Sequence, residues 1–224
     1  MSKPKLHYIT IATKPNINLE LFIKKRLTRQ GEQITILGEK ENRNIGWLAT
    51  ANFGVKIKEV YYYIWGAKLQ ENDIVLFTDA YDVVYCGNHE QLIDRYLEFG
   101  KPIVFGAEKY CNPDPQRASE YAFKNLEFPY LNSGLYIGRV WALRECLLGY
   151  QYNDSDDDQR YWTSKFLSRP DLITLDYYNS MFINTAGIPI NTIKWDGHRA
   201  SYNKYNPLFV HVNGPDKTDL QYFL

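Results

Sequence analysis

The stretch FTDAYDVVY, residues 77–85, decides how this chain is read. Ile74, Val75, Leu76 and Phe77 run into it, and Val83, Val84 and Tyr85 leave it, so the segment is strand-like and apolar. Asp79 and Asp82 interrupt that run, although ionised carboxylates are rarely buried without a partner. A strand heading for a core therefore ends in two acids, and the position of that end in the fold has to explain them.

The flanking sequence supplies the fold class. Residues 6–13 (LHYITIAT) and 33–39 (QITILGE) read as strands, and residues 18–31 carry helical spacing at Leu19, Phe22, Ile23 and Leu27 before Gly31. Residues 55–69 read as an amphipathic helix, 73–80 as the third strand, 89–100 as a helix closing at Gly100, and 102–108 as a further strand ending in Glu108. Short apolar strands alternating with helices predict a mostly parallel sheet covered on both faces. The second half is less regular. Residues 130–150 read as a strand feeding a helix, 154–168 as an acidic loop becoming a helix, and 177–185 and 209–214 as late strands. With no repeat and no linker, one mixed α/β domain over 1–224 is the simplest organisation. In open α/β sheets ligands bind beyond the carboxyl ends of strands, where Asp79 and Asp82 would sit.

Composition narrows the function. The 224 residues carry 26 Lys and Arg against 26 Asp and Glu, so no basic excess points to nucleic acid or an anionic membrane. Aromatic residues make up 16%, with 19 tyrosines, which suits stacking on sugars or nucleosides and equally suits a tyrosine-rich core. Three cysteines without close spacing exclude a zinc site and a disulfide framework. No leader-like apolar stretch opens the chain and no span is long enough to cross a bilayer, so a cytoplasmic location is the default expectation.

Three features carry chemistry. Asp79 and Asp82 repel one another unless a cation or proton lies between them, and hard divalent ions take such oxygens; turn capping is the competing account. Asp154, Asp156, Asp157 and Asp158 precede a helix, and capping requires one or two of them, so the surplus suggests a functional role or a solvated loop. His211 leads from an apolar strand into Asn213-Gly214-Pro215 and Lys217, a turn able to offer N–H groups and an ammonium to phosphate oxygens; a satisfied core histidine is the alternative.

Taken with ITIAT, FGAEKYCNPD, YLNSGLYIG, NDSDDDQRYWT, ITLDYYNSMF and HVNGPDK, these segments resemble the glycosyltransferase domain of the procollagen lysyl hydroxylases and its stand-alone relatives, some of them in giant DNA viruses. The resemblance covers nearly the whole chain. It implies a GT-A-type α/β fold, Mn²⁺ and a UDP-sugar, and a virally encoded protein of this kind would act in a host compartment. Asp79, Asp82 and His211 match the family's metal residues, with Asp79 also meeting the nucleotide. Tyr81 matches the tyrosine on the uracil, Thr13 a residue of the uridine site, and Lys56 a lysine before the second helix. Asn213, Gly214 and Lys217 match the diphosphate turn, and Asp157 and Asp158 the catalytic acids. The implied reaction transfers glucose from UDP-glucose onto galactosyl-hydroxylysine of collagen-like chains with retention, or galactose from UDP-galactose onto hydroxylysine. A metal-dependent phosphohydrolase would also be served by Asp79, Asp82 and His211, and a non-catalytic UDP-sugar- or glycan-binding module would use its aromatics alone. Asn112 stands where the hydroxylases commonly carry an aromatic, which bears on sugar and acceptor choice. The hydroxylase's iron-binding residues are absent, and oligomeric state is left open.

Overall fold

In the computed structural model, residues 4–46 and 52–224 are described. The first three residues of the segment weighed as a leader lie outside them. Strand β3, Ile74–Asp79, is the spine of the molecule. Its side chains alternate between two apolar clusters, Val75 and Phe77 in one, Ile74 and Leu76 in the other. A strand buried on both faces needs cover on both, which is why its sequence is continuously apolar.

The central sheet has the order β2-β1-β3-β6-β5-β7. Its strands are β1 Leu6–Ile11, β2 Thr35–Leu37, β5 Ile103–Glu108, β6 Tyr130–Arg139 and β7 Ile173–Asp176, beside β3. β1 runs parallel to β2 and β3, and β5 parallel to β7. β6 lies antiparallel between β3 and β5. The sheet is thus mostly parallel, as its apolar strands indicate, with one reversed strand. β4, Val83–Tyr85, leaves the main sheet and pairs with β11, Phe209–His211, which also pairs with β8, Phe182–Asn184. β9 and β10 form a separate hairpin over Lys194–Trp195 and Ala200–Ser201.

One face of the main sheet is covered by α2 Gly54–Gly66, α4 Val140–Leu147 and α5 Asp158–Ser168, through Ile57, Val60, Leu143, Leu147 and Trp162. The other is covered by the first helical segment, by α3 His89–Glu98 and by the small sheet, through Ile23, Leu27, Leu92, Tyr96, Phe182 and Phe209. The first helical segment runs from Leu19 to Arg29, with π-type turns over Leu19–Lys24 followed by α1 Lys25–Arg29. Each fully buried Val, Leu, Ile or Phe contributes roughly 1.5–3 kcal/mol, so loss of either layer would unfold the sheet. α3 starts where Asn88 caps it by accepting a hydrogen bond from the Gln91 N–H. Among the described residues, no helix is long and apolar enough to cross a membrane, and the three cysteines are free.

Candidate active site

Three strand ends converge. β3 delivers Asp79, the turn after it Asp82, and β11 His211, which pairs in register with Val83. One ligating atom from each of Asp79, Asp82 and His211 lies within 4.8 Å of the others. His211 Nε2 stands 3.4 Å from Asp82 Oδ2 and 3.7 Å from Asp79 Oδ2. His211 Nδ1 is 2.8 Å from Asn184 Oδ1. An amide oxygen can only accept, so Nδ1 carries a proton and Nε2 is the ring nitrogen turned to the two acids. Nε2 is therefore the atom that a metal would meet, with Nδ1 anchored by an outer partner.

Gly134 makes the close approach possible. A Cβ there would lie 2.4 Å from His211 Cε1 and 2.8 Å from Asp79 Oδ2. Gly134 sits in a bulge of β6, where the partner of β5 skips from Tyr136 opposite Phe105 to Asn132 opposite Gly106. Bulges re-aim side chains beside functional sites. Here Ser133 Oγ is turned onto Asp158 Oδ2 at 2.8 Å.

Lys56, in the first turn of α2, joins the cluster. Its Nζ lies 2.6 Å from Asp79 Oδ1 and 3.0 Å from Asp158 Oδ2. Burial would push the Lys56 ammonium down, yet Asp158 and Asp79 outweigh it and hold the group charged well above its ordinary range. Burial raises the Asp79 carboxyl; Lys56 opposes the rise, and the neighbouring Asp82 adds to it. Burial also acts on Asp82, but His211 and Lys217 overcome it and hold that carboxyl below the usual range. Lys217 Nζ is 2.5 Å from Asp82 Oδ2 and 2.8 Å from the Val212 carbonyl.

The acidic run divides by role. Arg43 holds Asp154 through both carboxylate oxygens, at 2.5 and 2.8 Å. Asp156 accepts from the Tyr150 hydroxyl at 2.8 Å. Asp157 is the N-cap of α5 and accepts from the Arg160 N–H at 2.9 Å. Only Asp158 touches the Lys56 cluster. Much of the surplus of acids over capping needs is therefore spent anchoring the loop, a use that the run alone could not show because Arg43 and Tyr150 lie outside it. The loop is pressed onto α2 at Gly54, where a Cβ would fall 1.9 Å from the Asn153 carbonyl oxygen. That contact brings the start of α5 and Lys56 together.

The remaining sequence-selected residues are more scattered. Thr13 is buried at the end of β1, and its Oγ1 has no hydrogen-bond partner among the described residues. Tyr81 is half-buried, with its hydroxyl donating to the Lys14 carbonyl at 3.0 Å. Gly214 adopts φ +96°, a left-handed turn. Asn213 does not face the carboxylate cluster: its Oδ1 accepts from the Ala186 N–H and its Nδ2 donates to Glu108, both at 2.9 Å. The Asn112 carbonyl accepts from Gln159 Nε2 at 3.2 Å, and no hydrogen bond of its side chain is found among the described residues.

Glu108 is the residue that sequence reasoning passed over, though it was noted as the acid ending β5. It accepts from Asn132 at 3.1 Å, Gln159 at 2.6 Å and Asn213 at 2.9 Å. Burial lifts its carboxyl to about 7, against the lowering pull of the three amides and His211. Its partners come from three distant segments, so no local pattern announces the hub.

The family profile described as the PLOD GT domain matches residues 2–224. The chain belongs to this glycosyltransferase-domain family. It is 33% identical to the Multifunctional procollagen lysine hydroxylase and glycosyltransferase of Caenorhabditis elegans, over 98% of this chain and 32% of that protein. It is 31% identical to the Procollagen-lysine,2-oxoglutarate 5-dioxygenase of Drosophila melanogaster, over 96% of this chain and 31% of that protein. The chain thus spans about a third of the length of these curated relatives. A glycosyltransferase involved in glycosylation of the major capsid of PBCV-1 shares the fold, with a TM-score of 0.52 and 13% identity over 98% of this chain and all of the other. The fold is of the GT-A type.

Proposed function

We propose that the chain is a Mn²⁺-dependent, retaining hexosyltransferase that moves glucose from UDP-glucose onto galactosyl-hydroxylysine of collagen-type chains, with galactose transfer from UDP-galactose onto hydroxylysine as the nearest variant. The observation that carries this reading is the convergence of Asp79, Asp82 and the His211 Nε2 turned toward them, in a chain of the PLOD GT domain family. Two carboxylate oxygens and an imidazole nitrogen suit Mn²⁺. A divalent ion held there would offset the charge that develops on a departing diphosphate.

The chain's own groups supply the rest. Lys217 is half-exposed on Asp82 and has the reach and charge to turn to a diphosphate. Thr13 Oγ1, buried and unpartnered, together with the ring of Tyr81 would take the uridine. The left-handed turn at Gly214 leaves its backbone open to a phosphate, while Asn213 would act indirectly by tying that turn to Glu108. Asp157 and Asp158 are the carboxylates available to a sugar that becomes positively charged as its anomeric bond breaks. Asn112 would touch acceptor choice through the Gln159 contact.

The test is UDP release and peptide mass with UDP-glucose or UDP-galactose, with plain and galactosylated hydroxylysine peptides, and with no acceptor. The expected result is hexose gain by one peptide, abolished by EDTA and by Asp82→Asn or His211→Ala while Tm is retained. UDP release at equal rate without acceptor would favour a hydrolase. UDP-sugar binding without turnover on any peptide would leave a binding module.

A further inference from the structure

At the far end of β4 and β11 from the carboxylate cluster, two clefts of 320 and 250 Å³ adjoin and share Cys86, Gln91 and Arg199. Their walls carry Arg26, Arg29, Arg95, Lys194, His198 and Arg199. Among the described residues, Asp196 is the single carboxylate lining either cleft. In a chain of zero formal net charge this is a strong local imbalance.

The cations are not consumed by the fold. Arg26 donates to the Tyr85 and Phe223 carbonyls at 3.4 and 3.1 Å and lies 4.8 Å over the Trp195 ring. Arg95 donates to the Ser180 and Asn206 carbonyls. Neutral carbonyls fix both guanidiniums in place but leave their charge uncompensated. Arg29, Lys194 and Arg199 are exposed and form no ion pair among the described residues. Asp196 accepts from the His198 and Arg199 backbone N–H groups at 2.8 and 2.7 Å.

We infer that this double cleft binds an extended polypeptide segment bearing several carboxylates. The cations are divided between two lobes, so a compact anion would reach only part of them. Guanidiniums grip carboxylates through paired N–H groups, and the Gln91 amide, which lines both lobes, suits a peptide backbone. Asp196, inside one lobe, repels a densely charged polyanion more than it does separate carboxylates. The site is apart from the Asp79–Asp82–His211 cluster and does not depend on its chemistry.

The test uses a fluorescent peptide of about nine residues, long enough to span both lobes at ~3.3 Å per residue, made of Gly-Glu-Ala repeats, and its Gly-Gln-Ala counterpart. Anisotropy is read at low and raised salt, with a variant combining Arg29→Glu, Lys194→Glu and Arg199→Glu. These side chains make no ion pairs within the fold, and an unchanged Tm verifies the variant. The expected result is binding of the Glu peptide that weakens with salt and falls roughly tenfold or more in the variant, with little binding of the Gln peptide. Equal binding of the two peptides, an unaffected variant, or displacement of the peptide by an equal concentration of pyrophosphate would each overturn the proposal.

Discussion

Gly134→Ala separates the proposed metal site at Asp79, Asp82 and His211 from the fold that holds it. The added methyl would meet His211 Cε1 at 2.4 Å and Asp79 Oδ2 at 2.8 Å, whereas ordinary contact begins at 3.4 Å. The His211 ring must retreat by about 1 Å, several times the ±0.2 Å tolerance of metal–ligand distances. It cannot do so freely, because Asn184 holds its Nδ1 and β4 and β8 flank its strand. Overpacking of this kind costs about 1–3 kcal/mol of stability. Displacing one ligand should lower Mn²⁺ affinity by roughly tenfold to a hundredfold. Gly138→Ala is the control: it lies on the same strand and crowds Ile103 Cγ1 at 3.0 Å and the Pro102 carbonyl at 3.2 Å, away from the site. Calorimetric titration of Mn²⁺ in the presence of UDP, with Tm measured on each protein, distinguishes the two. Gly134→Ala should lose affinity and Gly138→Ala should lose only stability. Equal Mn²⁺ affinity in wild type and Gly134→Ala would refute the reasoning, as would an equal loss in both variants.

Two further outcomes follow from the electrostatics. Glu108 has a carboxyl lifted to about 7 from the ordinary 4.5, so its stabilising contribution is complete below pH 4.5 and disappears as pH rises through 7. Glu108→Gln should therefore remove about 2–3 kcal/mol of pH dependence between pH 5 and 8, read as a flatter plot of unfolding free energy against pH. A uniform offset from the weakened Asn213 contact would not affect the slope, and parallel plots would contradict the assignment. Asp157→Asn preserves the N-cap, since Asn caps as well as Asp, so Tm should hold while kcat falls by more than about tenfold. Unchanged kcat would restrict Asp157 to capping.

Legibility in the sequence tracks how local each determinant is. β3 could be read because its burial on both faces requires an unbroken apolar run, and Asp79 marks the end of that run. A cap could be read in the acidic run before α5 because capping spans three residues, although the run did not show that Asp157 supplies it. The reversal of β6 could not, because LYIG packs equally well in either direction and strand polarity is set by the connections. Nor could the separation of β4 from β3, since Val83–Tyr85 is as apolar as Ile74–Phe77. Gly134 lies within YLNSGLYIG, but its purpose depends on His211, far along the chain. Glu108 needed Asn132, Gln159 and Asn213 to acquire a role, and the surplus acids needed Arg43 and Tyr150 to lose one.

The two lysines of the site neutralise different oxygens, and this distinguishes what each can do. Lys56 is buried and bridges Asp79 Oδ1 to Asp158 Oδ2, leaving Asp79 Oδ2 directed at His211. A cation held by Asp79 Oδ2, Asp82 Oδ2 and His211 Nε2 is compatible with both Lys56 contacts. Lys56 therefore suits a permanent brace, lowering the repulsion among Asp79, Asp82 and Asp158 whether or not the site is loaded. Lys217 rests on Asp82 Oδ2, the oxygen such a cation would need, and its side chain is 39% exposed against 12% for Lys56. Competition at that one oxygen would release the Lys217 ammonium toward solvent, on the side where a diphosphate would arrive. The buried lysine then suits the architecture of the carboxylates, and the half-exposed one would be free to meet charge developing on a departing diphosphate.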